Sequence, residues 1–115
     1  MKNIQLIASD IDGTLLLNGS QAIDPEIFNL IHKLQQKGIL FMAASGREYT
    51  NLRNLFSPVA DDIAYLCLNG CLTFYKGKCI SKEVMDTNLA RKLIKIIQNE
   101  PNAEVLVSGE KTCYI

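Results

Sequence analysis

The sequence has no excess of charge of either sign, because its 12 basic residues balance its 12 acidic residues. A nucleic-acid or anionic-membrane partner would need a basic patch or stripe, so this balance argues against both. No apolar run approaches the roughly 18 residues of a membrane-spanning helix. The apolar start, Met1–Ala8, is too short for a signal peptide and is soon followed by Asp10 and Asp12. We therefore expect a soluble, cytoplasmic protein with no nucleic-acid and no membrane partner.

The four cysteines form no CxxC pair, and no histidine lies near them in the sequence. This spacing argues against a zinc site. Cys67 and Cys71 lie among apolar residues, so we expect both to be buried free thiols. Without an export signal, disulfides are not expected either.

The 115 residues, 48% of them apolar, suit one compact domain. The first predicted strand, Ile4–Ser9, is a continuous apolar run, which is typical of a strand covered on both faces. The next predicted elements are a helix that begins at Asp24-Pro25 and stops at Gly38, a strand over Ile39–Ala44, a helix over Glu48–Phe56 and a strand over Ile63–Leu68. After these come a hairpin from Leu72 to Ile80, a helix over Thr87–Asn99 and two closing strands, Glu104–Val107 and Thr112–Ile115.

The order up to Leu68 is β-α-β-α-β, which predicts an α/β fold with a parallel, Rossmann-like sheet. Ligands in such sheets bind beyond the carboxyl ends of the strands. Three polar clusters follow the three predicted strands: Asp10-Ile11-Asp12-Gly13-Thr14, Ser45-Gly46-Arg47 and Asn69-Gly70. We therefore expect the three clusters to lie on one rim of the sheet.

Two carboxylates close together, Asp10 and Asp12, need a cation or a proton between them. A hard divalent ion such as Mg²⁺ prefers oxygen ligands of this kind. Asp10, at the end of its strand, is placed to act as a nucleophile on phosphorus, which yields an aspartyl-phosphate. Asp12 is placed to protonate the leaving oxygen and later to take a proton from water.

The remaining rim residues suit a phosphate group. Gly13 allows a sharp turn that presents backbone N–H groups to phosphate oxygens. Ser45 offers a hydroxyl, and Arg47 can clamp an anion with two parallel hydrogen bonds. Simpler roles stay open, since Ser45 is also an ordinary helix cap and Asn69-Gly70 is a strong hairpin signal.

The run from Ile7 to Leu16, with Ser45-Gly46-Arg47 and Asn69-Gly70, resembles the haloacid dehalogenase (HAD) superfamily of phosphohydrolases, in particular its Cof-like branch. The resemblance implies Mg²⁺-dependent hydrolysis of a phosphate monoester, often a sugar phosphate. It implies Asp10 as nucleophile, Asp12 as general acid/base and Ser45 as phosphate ligand. The metal would be held by the Asp10 carboxylate and the Asp12 backbone carbonyl. Positions near the substrate would be Gly13, Thr14, Gly46, Arg47 and Asn69.

The resemblance also predicts two regions: residues 1–84, a partial HAD core, and residues 85–115, the start of an incomplete α/β cap. The family's third motif, a lysine, and its fourth, an acidic pair, would lie beyond Ile115. We therefore expect a truncated chain with little phosphatase activity of its own, and an unpaired sheet edge beside Asp10 that favours self-association.

Two other readings stay open. A receiver-like phosphoacceptor module also uses strand-end carboxylates and Mg²⁺, but its acceptor aspartate would end the third strand, where this chain has Asn69. A non-catalytic phosphate-binding or interaction module would bind phosphate mimics without turnover. The substrate itself, a small phosphorylated metabolite in the leading reading, is not identified by the sequence.

Overall fold

The computed structural model describes residues 3–115 and divides into two compact units. The first unit ends at Lys82, and the second spans Glu83–Ile115. The first unit contains β1 (Leu6–Asp10), α1 (Pro25–Gln36), β2 (Leu40–Ala44), α2 (Tyr49–Leu55), β3 (Ala64–Cys67), β4 (Leu72–Tyr75) and β5 (Lys78–Lys82). The second contains α3 (Thr87–Gln98), β6 (Val107–Ser108) and β7 (Cys113–Tyr114).

One five-stranded sheet organises the first unit, in the order β1-β2-β3-β4-β5. The first three strands are parallel, and β4 and β5 add an antiparallel hairpin. Asp10 lies opposite Ala44, and Ala44 lies opposite Leu66, so the carboxyl ends of the three parallel strands are level. The predicted α/β fold with its parallel, Rossmann-like core is confirmed.

Helix α1 begins where the sequence signal placed it. The Asp24 side chain accepts a hydrogen bond from the Glu26 N–H at 2.9 Å, and Pro25 occupies the first helical position. The cap satisfies one of the N–H groups that a helix start leaves without a partner, and proline has no N–H to satisfy. The helix buries Ile31 against the core. Gly38, just beyond its end, has a φ of +73°, which a residue with a side chain would adopt only with strain.

The core of the first unit lies between the sheet and its helices, and aromatic rings fill much of it. Tyr49 stacks on Phe74 with ring centroids 3.9 Å apart and meets Tyr65 edge-on at 5.3 Å. The Tyr65 hydroxyl donates a 2.6 Å hydrogen bond to the Ala60 carbonyl, so its polar end is satisfied although the residue is buried. Burial also raises the pKa of this hydroxyl well above its usual value. This packing holds α2 against β3 and β4.

Strand β1 differs from its prediction. It lies at the edge of the sheet, and Leu6 and Ile7 remain 47% and 37% exposed, so the expectation of a strand covered on both faces is wrong. The reason is tertiary, because α1 packs against β2 and β1 has a strand neighbour on one side alone within residues 3–115. Cys71 is likewise exposed rather than buried, whereas Cys67 is buried as expected.

The second unit is a helix and a two-stranded ribbon. Asp86 caps α3 by accepting the Leu89 N–H at 2.9 Å. None of the residues of α3 is buried, and its apolar side chains Leu89, Leu93 and Ile96 are exposed. The closing strands are shorter than predicted, since β6 and β7 pair over two residues each. None of the helices within residues 3–115 combines the length and the apolar character that a bilayer-spanning helix requires.

Candidate active site

The rim at the carboxyl ends of β1, β2 and β3 brings the three polar clusters together. Asp10 ends β1, Ser45 follows β2 directly, and Asn69 lies two residues beyond β3. The contacts that join them cross long stretches of sequence, as between Asp12 and Arg47 and between Ser45 and Asn69. Parallel strands place these loops on one edge of the sheet, and this is where such folds bind ligands.

The loop after β1 is anchored by Ile11, which is fully buried. The Ile11 carbonyl accepts hydrogen bonds from the N–H groups of Thr14, Leu15 and Leu16 at 2.9 to 3.1 Å. Gly13 has a φ of +82° and donates its N–H to the Leu16 carbonyl at 2.9 Å. The buried Ile11 therefore fixes the turn while Asp10 and Asp12, on either side of it, stay exposed.

Asp10 and Asp12 have different partners. The Thr14 hydroxyl donates to Oδ2 of Asp10 over 3.4 Å, a long and weak hydrogen bond. Asp12 instead receives two short, charged hydrogen bonds, from Nε of Arg47 to Oδ2 at 2.9 Å and from Nη2 to Oδ1 at 2.8 Å. Both carboxylates are exposed, but the Asp10 carboxylate is held more loosely and so is available to another group.

The ion pair changes the pKa values of both members. The hydrogen bonds from Arg47, with its positive charge, hold the pKa of Asp12 below its usual value, although partial desolvation opposes this. The same hydrogen bonds raise the pKa of Arg47. Asp12 is therefore ionised near neutral pH in this structure. Arg47 binds this carboxylate, whereas the sequence predicted that it would bind an anionic substrate.

Ser45 is nearly buried, with 7% of its surface exposed. Its N–H donates to the Leu66 carbonyl at 2.9 Å, and its Oγ accepts the Arg47 N–H at 3.0 Å. Glu48, and not Ser45, occupies the N-cap position of α2, and its side chain makes no cap hydrogen bond, so the ordinary helix-cap role does not account for Ser45. The accepted hydrogen bond leaves the Ser45 hydroxyl proton free to point elsewhere.

The turn after β3 is strained. Leu68, Asn69 and Gly70 have φ values of 50°, 56° and 99°, a region that residues with side chains rarely adopt. Two hydrogen bonds hold this turn, from the Leu68 N–H to the Arg47 carbonyl and from the Asn69 N–H to the Ser45 carbonyl, both at 3.1 Å. The turn leads into the antiparallel β4, so it reverses the chain as a hairpin signal indicates and also lies against the end of β2.

Gly46 allows this close approach. A Cβ atom on Gly46 would lie 3.0 Å from Oδ1 of Asn69, which is too near for ordinary contact. A side chain at this position would therefore push the exposed Asn69 amide away from the rim. Because Gly46 has no side chain, Asn69 can lie beside the segment that carries Ser45 and Arg47.

One rim residue was not identified from the sequence. Asn51, in the first turn of α2, accepts a hydrogen bond from Nη1 of Arg47 at 2.8 Å. Its spacing of four residues after Arg47 is the separation at which helical side chains meet, and this was the one available signal. Arg47 itself lies before the helix, so the signal did not apply in its usual form.

The rim supplies two oxygen ligands suited to a hard cation. They are the exposed carboxylate of Asp10 and the carbonyl of Asp12, which accepts none of the turn's backbone hydrogen bonds among the described residues. Across residues 3–115, no three side chains of His, Cys, Asp or Glu gather closely enough to hold a metal ion by themselves. The donor set fits Mg²⁺, which keeps several waters, better than a metal that needs a closed protein cage.

Comparison with known proteins points to one family. The model of the haloacid dehalogenase-like hydrolases matches residues 7–115. The chain is 26% identical over 112 residues to 5-amino-6-(5-phospho-D-ribitylamino)uracil phosphatase YbjI of Escherichia coli, over 97% of this chain and 41% of the relative. It is 33% identical over 97 residues to phosphoglycolate phosphatase of Sulfolobus acidocaldarius, over 84% of this chain and 41% of the relative.

A solved structure from Eubacterium rectale has the same fold. It superposes with a TM-score of 0.85 at 32% identity and covers 96% of this chain and 42% of that one. The chain thus spans about two fifths of the length of the curated relatives it matches, and these relatives are named phosphatases. The match covers the rim and the elements that build it, and the chain belongs to the haloacid dehalogenase-like hydrolases.

Proposed function

We propose that this chain is part of a Mg²⁺-dependent phosphatase that hydrolyses a phosphate monoester through an aspartyl-phosphate on Asp10. The observation that carries the proposal is the contact of the three strand-end clusters, with a loosely held carboxylate on Asp10 beside a tightly held one on Asp12. Two carboxylates in such different surroundings suit two different roles.

In the first step, a carboxylate oxygen of Asp10 attacks phosphorus, and the bond from phosphorus to the leaving oxygen breaks. Asp12 is ionised in the described structure, so it must take up one proton before the first cycle. It gives this proton to the leaving oxygen, which departs as an alcohol. Nε and Nη2 of Arg47 each donate to one oxygen of the Asp12 carboxylate, and we call this pair of hydrogen bonds the Arg47 fork. The Arg47 fork holds the carboxylate in one orientation. Each carboxylate oxygen keeps a second lone pair, so contact with the leaving group does not require the fork to dissociate.

In the second step, water attacks the phosphorus of the aspartyl-phosphate, and the bond to Asp10 breaks to release inorganic phosphate. Asp12 takes the proton from this water, which restores the acid form for the next cycle. The Ser45 hydroxyl is the phosphate donor in this proposal, because the N–H groups of Gly13 and Thr14 already donate within their own turn. Gly13, Thr14, Gly46, Arg47 and Asn69 would line the substrate end of the rim.

The Asp10 carboxylate and the Asp12 carbonyl would hold Mg²⁺. When bound, the ion neutralises charge on the phosphate oxygens and on the attacking carboxylate. These two ligands alone hold a divalent ion weakly, and the described residues offer no lysine at the rim. We therefore expect residues 1–115 by themselves to turn over slowly at best.

The substrate is a small phosphorylated metabolite in this proposal. Its support is that the similar proteins are named as phosphatases of phosphoglycolate and of a phosphoribitylamino-uracil. Residues 85–115 would be the start of a substrate-selecting cap and residues 1–84 the partial core, and the division of the structure into units at Lys82 and Glu83 supports this. The described cysteines are free thiols, as in proteins of a reducing cytoplasm, which is where we place the protein.

The exposed edge of β1 supports self-association as a further part of the proposal. Ile4, Leu6 and Ile7 are exposed there, and an unpaired apolar strand edge tends to pair with another chain. Size measurement over a range of concentrations tests this. A concentration-independent monomer would contradict it.

The test of the proposed reaction is Asp10→Asn in the longest expressed form of the protein, assayed with Mg²⁺ on an aryl phosphate. Turnover should fall by at least about 10³-fold, because the amide is a poor nucleophile. Asp62→Asn, at the opposite end of β3, is the matched control and should leave turnover unchanged. If turnover persists in Asp10→Asn, the assignment of Asp10 as nucleophile is wrong. If the unchanged protein binds vanadate but turns over no substrate, the result favours a non-catalytic phosphate-binding module.

A further inference from the structure

We propose that Asn51 is a positioning residue, which fixes the guanidinium of Arg47 so that one edge of it holds the carboxylate of Asp12. This inference rests on the proposed function, in which Asp12 serves the leaving oxygen. It starts from a hydrogen-bond chain on the surface of the rim, from Asn51 through Arg47 to Asp12.

The guanidinium of Arg47 has its hydrogen-bond donors divided between two partners. Nε and Nη2 donate to the two oxygens of Asp12 at 2.9 and 2.8 Å, and Nη1 donates to Oδ1 of Asn51 at 2.8 Å. Because the guanidinium is planar and rigid, a bond at Nη1 fixes the direction of the Nε and Nη2 edge. Asn51 therefore determines where the fork points.

The Arg47–Asp12 ion pair is partly exposed, which gives the contact between Arg47 and Asn51 its importance. The side chain of Arg47 is 29% exposed and that of Asp12 is 59% exposed. An exposed ion pair contributes little by itself, because ordering two flexible side chains offsets much of its attraction. Asn51 lies in a helix, so its backbone is ordered, and its short side chain adds a second hydrogen bond that reduces the freedom of Arg47.

The loop after β1 needs such support. Ile11 fixes the backbone of this loop, but the side chain of Asp12 projects beyond it into solvent. The Arg47 fork is the side-chain contact that holds the Asp12 carboxylate in the described structure. Small displacements of a reacting group lower reaction rates strongly, so loss of the Asn51 side chain should slow the proton transfer from Asp12.

The first arm of the test measures Arg47 in the 115-residue chain. NMR of ¹⁵N-labelled arginine reports rotation about the Nε–Cζ bond, which hydrogen bonds at Nη1 and Nη2 slow. Asn51→Ala should speed this rotation for Arg47 several-fold, and Asn51→Asp, which keeps an acceptor oxygen of the same length, should restore slow rotation. Asn54→Ala, an exposed asparagine on the same helix, is the matched control and should change nothing.

The second arm is kinetic, in the longest expressed form, with nitrophenyl phosphate and glycerol phosphate as substrates. Nitrophenolate leaves without a proton, whereas the glycerol alkoxide needs one from Asp12. Asn51→Ala should lower kcat/KM on glycerol phosphate about tenfold, a part of what a general acid contributes, with a much smaller change in kcat/KM on nitrophenyl phosphate. The ratio kcat/KM is used because it reports departure of the leaving group and not the later hydrolysis, which is common to both substrates.

The outcomes separate the inference from the function on which it rests. Unchanged Arg47 rotation in Asn51→Ala, or equal losses of kcat/KM on both substrates, overturns the positioning role. No change in kcat/KM on either substrate overturns it as well. If the unchanged protein hydrolyses neither substrate, the proposed function fails, and the rotation measurement still decides whether Asn51 orients Arg47.

Discussion

The two units contain helices that begin in the same way and end in different surroundings. Helices α1 and α3 are both 12 residues long, and each is capped by an aspartate side chain that accepts a backbone N–H at 2.9 Å. Helix α1 buries Ile31 in a core, whereas no residue of α3 is buried. Local sequence is therefore enough to start a helix, but stability comes from the surface that covers its apolar face.

The largest expected difference between the units comes from matched leucine truncations. Leu52 in α2 is fully buried, and Leu93 in α3 is 39% exposed. Leu52→Ala leaves a cavity in the core and should lower the free energy of unfolding by about 2 to 5 kcal/mol. Leu93→Ala should cost less than about 1 kcal/mol, since solvent already reaches this side chain.

Urea unfolding followed by circular dichroism measures the loss in each variant, and amide exchange assigns it to a unit. Asn54→Ala, an exposed substitution in α2, is the control for helix effects alone. Equal losses for the two leucines would mean that the apolar face of α3 is covered in solution.

The capping aspartates give a smaller effect that sharpens the same comparison. Asp24→Ala and Asp86→Ala each remove one cap hydrogen bond, which is worth about 1 kcal/mol. Helix α1 should remain folded because packing holds it, whereas α3 should lose amide protection in its first turns. Hydrogen exchange of the two helices is the measurement. Asp24→Asn and Asp86→Asn keep an acceptor and should behave nearly as the unchanged chain does, and equal loss of protection in α1 and α3 would contradict the expected difference.

The smallest perturbation uses the cysteines without any substitution. Cys67 is buried, and burial raises the pKa of its thiol to about 11, while Cys71 is exposed and Cys113 in the second unit is half-buried. Because the thiolate is the reactive form, Cys67 should stay unlabelled by iodoacetamide at about pH 8 while Cys71 and Cys113 react. Peptide mass spectrometry reads the order of labelling, and urea should remove the difference. Rapid labelling of Cys67 in the native chain would mean that the core of the first unit opens readily.

Much of the first unit could be predicted from local patterns. The Asp24-Pro25 start, the apolar run that became β2 and the hairpin after Gly70 were placed within one or two residues of their observed positions. These signals depend on backbone sterics and on caps formed between neighbours, so they act without tertiary structure. The same holds for the alignment of the strand ends, which follows from parallel pairing.

Other features required contacts between distant residues. An apolar run does not state how many of its faces are covered, so the exposure of β1 could not be read from Leu6 and Ile7. An arginine can bind an anion with two hydrogen bonds in any sequence, so the residue type did not indicate its partner. Arg47 binds Asp12, which lies 35 positions away in the chain. The left-handed φ of Leu68 is held by hydrogen bonds to the segment after β2. Leucine rarely adopts this φ, so the residue type did not predict it.

The amino-acid sequence alone determined the family, the order of the elements and the residues gathered at the rim, since periodicity, turn chemistry and motif spacing are written in neighbouring positions. The tertiary structure decided which carboxylate is held by arginine, which strand has a face exposed to solvent and which helix has a core beneath it. Each of these depends on the distance between residues that are far apart in the chain, and such distances exist only once the chain has folded.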